Sequence, residues 1–428
     1  MQWENCSWRI VDEISFLKLF NSYRKIPKYL YSLKLRNWLE LNFSKIFKKM
    51  LEKKLKILQI APIGLPVSRE MKYGGTERVI LYTDEEFTRK GHTSIVAGSG
   101  DSKIRGRLFV TVPKSMWRME GKGRKIVDGE ELDQGHYRKC VDLVLGKYPD
   151  WPKLDIIHDH PGLGMINSKA YKEKGERVYI PILNTLHGKF SKDNFKKYVE
   201  WIELLQERRK VYFNAISENQ RKDFEDNLGI SIVEVIYHGI PLELFPFNEK
   251  PKDYLFSLGR ISHEKGQHIA IEVAKKTGRP LVIAGEIHSV NEDYWNEKIK
   301  PHIDDDQIKF IGPLNDTQKA GLYKNAYAFL MPIQWPEPFG LVMIEAMATG
   351  TPVIAFNRGS VSEIVKDNET GYIIPDTGNS EEDLNLMVQA VDDIEKINRN
   401  SCREHVKRNF TTEREAKNYI DLYRKLMN

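Results

Sequence analysis

The chain has 428 residues, 41% of them hydrophobic and 29% charged, with a formal net charge of +6. That composition suits a soluble globular protein with two or three cores, and it excludes a collagenous, intrinsically disordered or membrane-bundle chain. Residues 1–54 hold 12 Lys/Arg against 5 Asp/Glu, a net of +7, so the remainder stands at −1 and lacks the basic stripe that a nucleic-acid binder uses to neutralise phosphates.

The basic opening interleaves its charges with large apolar residues, among them Trp3, Trp8, Phe16, Tyr23, Trp38 and Phe47, but has no apolar run long enough to span a bilayer. It has no small-residue cleavage site after a continuous apolar core, so it does not read as a secretory signal. Three readings stay open: an interfacial helix interrupted by Pro27 that makes peripheral contact with an anionic membrane, a helical extension packed on the body, or a stretch upstream of a natural start at Met50. The three cysteines, Cys6, Cys140 and Cys402, are far apart and odd in number, which suits a reducing cytoplasm better than a disulfide framework. The expected location is cytoplasmic, at most peripheral to the inner membrane face.

From residue 56 the pattern is strand, loop, helix. The apolar run 57–61 leads into a Gly/Pro loop and a helix over 76–90 that ends at Gly91. Further strands are predicted at 93–97, 155–158, 178–184 and 211–216, where Ser217 and Gln220 have capping-box spacing. A second series follows a strand at 233–236, with strands at 254–258, 280–284, 308–311, 326–331 and 352–356, and a last helix over 413–427. Alternating strands and helices imply parallel sheets with crossover helices. Two such series, parted near 238–247, predict an α/β chain of two doubly wound, Rossmann-like domains with ligand crevices at the strand C-termini. The boundaries so drawn are an N-terminal domain over 55–238, a C-terminal domain over 239–408 and a terminal helix over 409–428.

Four strand-end segments carry candidate chemistry. In Tyr73-Gly74-Gly75-Thr76-Glu77 the paired glycines let an anion approach the backbone, or simply make a turn before a helix. Asn184-Thr185-Leu186-His187-Gly188 presents His187 at a strand end, where a histidine is either structural or a site residue. Ser257-Leu258-Gly259-Arg260-Ile261-Ser262-His263-Glu264-Lys265-Gly266 puts two cations in one loop, either solvated or set to stabilise a departing diphosphate in place of a metal. In Trp335-Pro336-Glu337-Pro338-Phe339-Gly340-Leu341-Val342-Met343-Ile344-Glu345 the prolines hold Glu337 in a loop, and the N–H groups of Gly340, Leu341 and Val342 open a helix that can bind an anion. Glu345, one turn in, has apolar neighbours and is costly to bury without fixed donors. It lies otherwise on the helix's polar edge. Asp304-Asp305-Asp306 has the composition of a metal-binding run but reads as a solvated turn before a strand. Residues 116–137, with Trp117, Arg118, Lys122, Arg124, Lys125, His136 and Tyr137, are candidate acceptor contacts or an ordinary exposed loop.

On these residues the sequence resembles the retaining GT-B glycosyltransferases of family four, which include sucrose synthase, bacterial glycogen synthase relatives and mannosyltransferases of lipid and polysaccharide assembly. The resemblance covers about residues 55–426. It rests first on the E-x7-E spacing of Glu337 and Glu345, then on Gly259-Arg260, Lys265-Gly266, Gly74-Gly75, His187-Gly188 and the Ala346 to Ala355 stretch. It implies two domains facing across a cleft and a C-terminal helix that crosses back to the first. Arg260 and Lys265 then bind the donor diphosphate, with Gly259 in their loop, and Gly74-Gly75 closes over the phosphates. Glu337 and the segment Phe339-Gly340-Leu341-Val342 meet the donor, Glu345 holds ribose hydroxyls, and His187, by ring or backbone, assists the transition state. Pro241 stands where many members carry aspartate, a departure expected to touch the hinge and not the chemistry.

The function so implied is transfer of a hexosyl unit from a nucleoside-diphosphate sugar, UDP-glucose favoured, to the hydroxyl of an unidentified acceptor, with retention and without metal or other cofactor. The acceptor class is open between a glycan, a glycolipid and a small molecule. The rival readings are a sugar-nucleotide epimerase or phosphorylase of the same architecture, and a non-catalytic sugar-nucleotide sensor. Turnover without acceptor, and turnover against mere binding, separate them.

Overall fold

The computed structural model describes residues 53–120, 123–126, 129–188, 199–208 and 210–428. The basic extension, and with it every reading of its membrane contact, lies outside the described residues except for Lys53 and Lys54. Among the described residues no helix is long and apolar enough to cross a membrane.

The strands are β1 (Lys56–Ile60), β2 (Thr93–Ser99), β3 (Arg107–Val112), β4 (Trp117–Glu120), β5 (Gly123–Ile126), β6 (Ile156–Asp159), β7 (Ile182–Thr185), β8 (Val211–Ala215) and β9 (Ile232–Val235), followed by β10 (Leu255–Leu258), β11 (Leu281–Ala284), β12 (Ile308–Phe310), β13 (Ala328–Met331), β14 (Val353–Phe356) and β15 (Gly371–Ile374). The main helices are α1 (Gly75–Arg89), α2 (Gly129–Val144), α3 (Val199–Arg208), α4 (Glu218–Leu228), α5 (Gln267–Thr277), α6 (Asp316–Asn325), α7 (Leu341–Ala348), α8 (Ser380–Asp392), α9 (Arg399–Asn409) and α10 (Thr412–Met427).

Among the described residues the first sheet is ordered β3-β2-β1-β6-β7-β8-β9 and the second β12-β11-β10-β13-β14-β15. Every pair within each is parallel. Parallel sheets carry helices on both faces, so their strands read as continuous apolar runs, as in the fully buried Ala328–Met331 and Val353–Phe356. Each strand order reverses direction once, between β1 and β6 and between β10 and β13. Those reversals are the switch points where a doubly wound sheet opens a crevice.

Two strands of the parallel sheets, besides the β4-β5 hairpin, escaped the sequence reading. β3 begins with Arg107 and alternates in burial, as an edge strand does, and β15 opens on Gly371, whose added Cβ would lie 1.9 Å from the Val353 carbonyl oxygen. The expected capping box at α4 is half formed. Ser217 accepts from the Gln220 N–H, but the Gln220 side chain accepts from Ile216 rather than from Ser217. A complete box occurs instead at Asn315 and Gln318, at the start of α6. Asp304 makes the expected turn, its carboxylate accepting from the Asp306 and Ile308 N–H groups.

The last helix returns to the first domain. Ala416, Tyr419, Ile420, Leu422 and Tyr423 form one core with Leu55, Ile57, Phe87, Ile156 and Leu183. Full burial of such side chains stabilises by about 1.5–3 kcal/mol each. The hinge joins the helix cap closely, since Ile240 bridges Thr411 and a Cβ on Gly239 would sit 2.3 Å from the Thr411 carbonyl. Only glycine fits there. A second tie crosses between the domains at α4, whose first N–H groups, Glu218 and Asn219, donate to the Glu363 carboxylate at 2.7 Å each.

Candidate active site

The strand ends of the two sheets face a common cavity of about 360 Å³. Its lining combines Gly74, Gly75 and Arg78 at the start of α1, His187 after β7 and His238 at the hinge with Gly259, Arg260, Lys265 and Gln267 after β10. Trp335, Glu337, Pro338, Phe339, Gly340, Leu341, Val342 and Glu345 close it from the loop that opens α7. All of the donor-site residues singled out from sequence therefore border one space, whereas among the described residues none of the candidate acceptor contacts over 116–137 lines it.

Gly74 has φ +114°, and a Cβ on it would meet the Glu77 carboxylate at 2.5 Å, whereas a Cβ on Gly75 would meet nothing within 4 Å. The first glycine makes the turn, and the second leaves the backbone open to the cavity. Among the described residues no side chain caps the start of α7. The Met343 N–H already donates to the Gly340 carbonyl, so the N–H groups of Leu341 and Val342 are those the helix start offers to an anion.

Lys265 Nζ lies 2.6 Å from Glu337 Oε2, and Trp335 Nε1–H donates to the same oxygen at 3.1 Å. Lys265 also stands over the Trp335 ring, 5.0 Å from its centroid. Arg260 is ion-paired with Glu264, and its buried Nε has no hydrogen-bond partner among the described residues. Glu345 is 2% exposed and lines the cavity while meeting fixed donors within the protein, an ion pair with Lys319 and the Tyr323 hydroxyl at 3.3 Å. Lys319 in turn pairs with Asp316 at 3.0 Å. Asp316 takes Arg78 Nε at 2.9 Å and the Tyr82 hydroxyl at 3.0 Å from the other side of the cleft. Burial alone would raise the Asp316 carboxyl, but Lys319 and Arg78 outweigh it and hold the group at about 2.

His187 sits in a row of imidazoles that meet edge to edge through their nitrogens. Its Nε2 is 3.0 Å from His160 Nδ1 and its Nδ1 is 3.3 Å from His238 Nε2, with ring planes 20° and 14° apart. Both ring nitrogens are thus committed, leaving the carbon edge and main chain of His187 to a ligand. Burial pushes His158, His160 and His187 well below the ordinary histidine value, and His238 and His136 to about 3. Burial pushes Asp159 up to about 7 and the Glu415 carboxyl well above its usual range.

These shifts set a pH dependence. A histidine held bare in the fold takes up a proton only on unfolding, so its contribution is present above about 6.5 and is lost as pH falls toward about 3. By about pH 5 this costs about 2 kcal/mol per histidine. The raised acids Asp84, Asp133, Asp159 and Glu415 act oppositely, but seven lowered histidines, with His268 and His405 added, outnumber them. The urea unfolding midpoint is expected to fall between about pH 7.5 and about pH 5. A flat or rising midpoint would contradict the neutral cluster.

Two sequence readings are corrected. His136 and Tyr137 are buried within α2, His136 against the Thr111 hydroxyl at 2.6 Å, and are not available to an acceptor. Trp117, Arg118, Arg124 and Lys125 lie on the β4-β5 hairpin rather than in a loop, while Lys122 lies outside the described residues. His238, read only as the start of the hinge, lines the cavity and packs edge-on to Phe339, their centroids 5.1 Å apart. Phe339 is itself 2% exposed, so its side chain serves to seat His238. Arg78, Lys319, Trp335 and Gln267 were not read from sequence. Arg78 follows Gly74 by one helical turn, and that spacing alone could have signalled it. Among the described residues no group of three His, Cys, Asp or Glu is arranged to hold a metal ion.

Residues 243–409 match the family model described as glycosyl transferases group 1. The chain is 28% identical over 246 residues to a glycogen synthase of Mycobacterium tuberculosis, covering 53% of this chain and 58% of that protein. It thus spans a little over half the length of that relative. A putative glycosyltransferase of Bacillus subtilis, YtcC, is 25% identical over 330 residues, covering 69% of this chain and 78% of that one. The crystal structure of Anabaena Alr3699/HepE in complex with UDP-glucose aligns with a TM-score of 0.64 at 19% identity, over 87% of this chain and all of that one. Two parallel Rossmann-like sheets facing across a cleft, so aligned, are the GT-B fold.

Proposed function

We propose that this chain is a glycosyltransferase that moves a hexosyl unit from a nucleoside-diphosphate sugar to an acceptor hydroxyl, with retention of configuration and without a metal. The observation that carries the reading is the convergence of Lys265, Arg260 and the uncapped start of α7 on a cavity whose far wall is the Gly74-Gly75 loop. Positive groups gathered at the strand ends of the second domain, facing the open backbone of the Gly74-Gly75 loop, suit a diphosphate better than any neutral ligand. The relatives are named as glycosyltransferases or a glycogen synthase. UDP-glucose is the donor favoured, in keeping with the ligand of the Anabaena structure.

In the proposed reaction the acceptor oxygen bonds to the anomeric carbon on the face from which the diphosphate departs. The bond from that carbon to the β-phosphate oxygen breaks, and the acceptor proton passes to the leaving phosphate. Lys265 and the Leu341 and Val342 N–H groups stabilise the charge growing on the diphosphate, and Arg260 joins them by exchanging Glu264 for phosphate. Glu337, held by Lys265 and Trp335, accepts from hydroxyls of the transferred sugar. His187 contributes through its main chain and ring edge. The acceptor is a glycan, a glycolipid or a small molecule carrying a free hydroxyl.

The test is product stereochemistry. In EDTA, with an α-linked sugar nucleotide and a mixed panel of hydroxyl acceptors, the anomeric proton signal of the product is expected to be α. A β product would sink retention, and activity that appears only on adding a divalent ion would sink metal independence.

A further inference from the structure

We propose that Glu415, on the C-terminal helix, is a positioning residue whose neutral carboxyl donates to His238 and thereby fixes the tautomers of His238, His187 and His160 in series. The inference rests on the proposed donor site only in the value it gives to His187.

The geometry is a single file of hydrogen bonds. Glu415 Oε1 lies 2.8 Å from His238 Nδ1, and Glu415 Oε2 accepts the Gly239 N–H at 2.9 Å. His238 Nε2 meets His187 Nδ1, His187 Nε2 meets His160 Nδ1, and His160 Nε2 ends 3.2 Å from Gln59 Oε1. The amide of Gln59 is oriented by its Nε2, which donates to Ser94 Oγ at 3.1 Å. An imidazole between two partners must donate at one nitrogen and accept at the other. Since Gln59 Oε1 can only accept, His160 carries its proton on Nε2 and accepts at Nδ1. The same polarity then passes along the row: Nε2–H on His187, Nε2–H on His238, and an acceptor Nδ1 facing Glu415. That last acceptor requires a hydroxyl on Oε1, with the carbonyl oxygen Oε2 left for Gly239.

The reverse polarity has an ionised Glu415 and ends with His160 Nε2 and Gln59 Oε1 as two facing acceptors, a buried mismatch in which neither group is satisfied. It would also place a carboxylate charge at a residue that is 1% exposed and has no lysine or arginine partner among the described residues. The contact between His238 and Glu415 is therefore a neutral acid–imidazole bond and not a salt bridge. Burial, which raises Glu415 and lowers the histidines, acts in the same direction. The consequence reaches the cleft: α10, by returning to the first domain, locks the ring of His187 at the cavity wall.

Neutron diffraction from crystals of the full chain exchanged into deuterium oxide reads the proton positions without substrate, and so independently of the transferase reading. Deuterium is expected on Glu415 Oε1 and on Nε2 of His238, His187 and His160. Deuterium on His238 Nδ1, with Glu415 bare, would overturn the proposal. Glu415→Gln is the isosteric neutral variant, its amide donating where the hydroxyl did. It is expected to keep the tautomers and nearly all donor turnover, whereas Glu415→Ala loses turnover by roughly ten- to a hundredfold, chiefly in kcat. If Glu415→Gln folds but is as impaired as Glu415→Ala, or shows His238 protonated at Nδ1, the series order is wrong.

Discussion

Lys265→Ala is expected to lower donor turnover by about 10²- to 10³-fold, the usual loss on deleting one preorganised group that stabilises developing charge. Lys265 is only partly exposed and shares its charge with Glu337 at 2.6 Å. When a diphosphate enters, that ammonium is placed to serve two anions, so its loss removes a phosphate partner and also frees the Glu337 carboxylate from the orientation Trp335 and Lys265 impose. Lys265→Arg is not a rescue, because a planar fork cannot replace a point cation seated over the Trp335 ring without displacing Glu337. Wild-type melting temperature with wild-type turnover in Lys265→Ala would remove the diphosphate role.

Lys319→Met is expected to destabilise the fold by about 3–5 kcal/mol, as breaking a buried ion pair on one side does. Lys319 is 3% exposed and pairs with both Asp316 and Glu345, so its removal leaves Glu345 with the Tyr323 hydroxyl alone and Asp316 with Arg78 and Tyr82. The double variant Lys319→Met/Glu345→Gln, which removes one stranded charge, is expected to recover part of the loss. Chemical denaturation of the four forms gives the coupling directly. Additive effects would show that Lys319 and Glu345 do not act on each other.

The fold was largely legible because parallel strands buried on both faces are unbroken apolar runs, such as Ile57-Leu58 and Ala328 to Met331, and their order alternates with helical stretches. Arg107 to Val112 was not legible, since an edge strand that opens on a charge and buries only part of its length gives no such run. The strand-end loops were legible through residue type: glycines before a helix, cations in a loop, and two glutamates around a helix start. What turned these into a site was not. Arg78 and Asp316 are separated by 238 positions and His238 and Glu415 by 177, and no periodicity announces a partner so far away. His238 was read as hinge because its neighbours Gly239 and Pro241 mark a chain turn, and its seat between His187 and Phe339 exists only once α10 has returned. His187 was found by its place at a strand end, yet its chemistry depends on His160 and His238, which occupy both of its nitrogens.

The most direct measurement is isothermal titration of the full chain, in EDTA, with UDP-, GDP- and ADP-sugars, beside Lys265→Ala and Glu337→Ala. One sugar nucleotide is expected to bind the wild type stoichiometrically and to bind both variants at least tenfold more weakly. If no sugar nucleotide binds the wild type, or if both variants bind as it does, the cleft between Gly74-Gly75 and Lys265 is not a donor site.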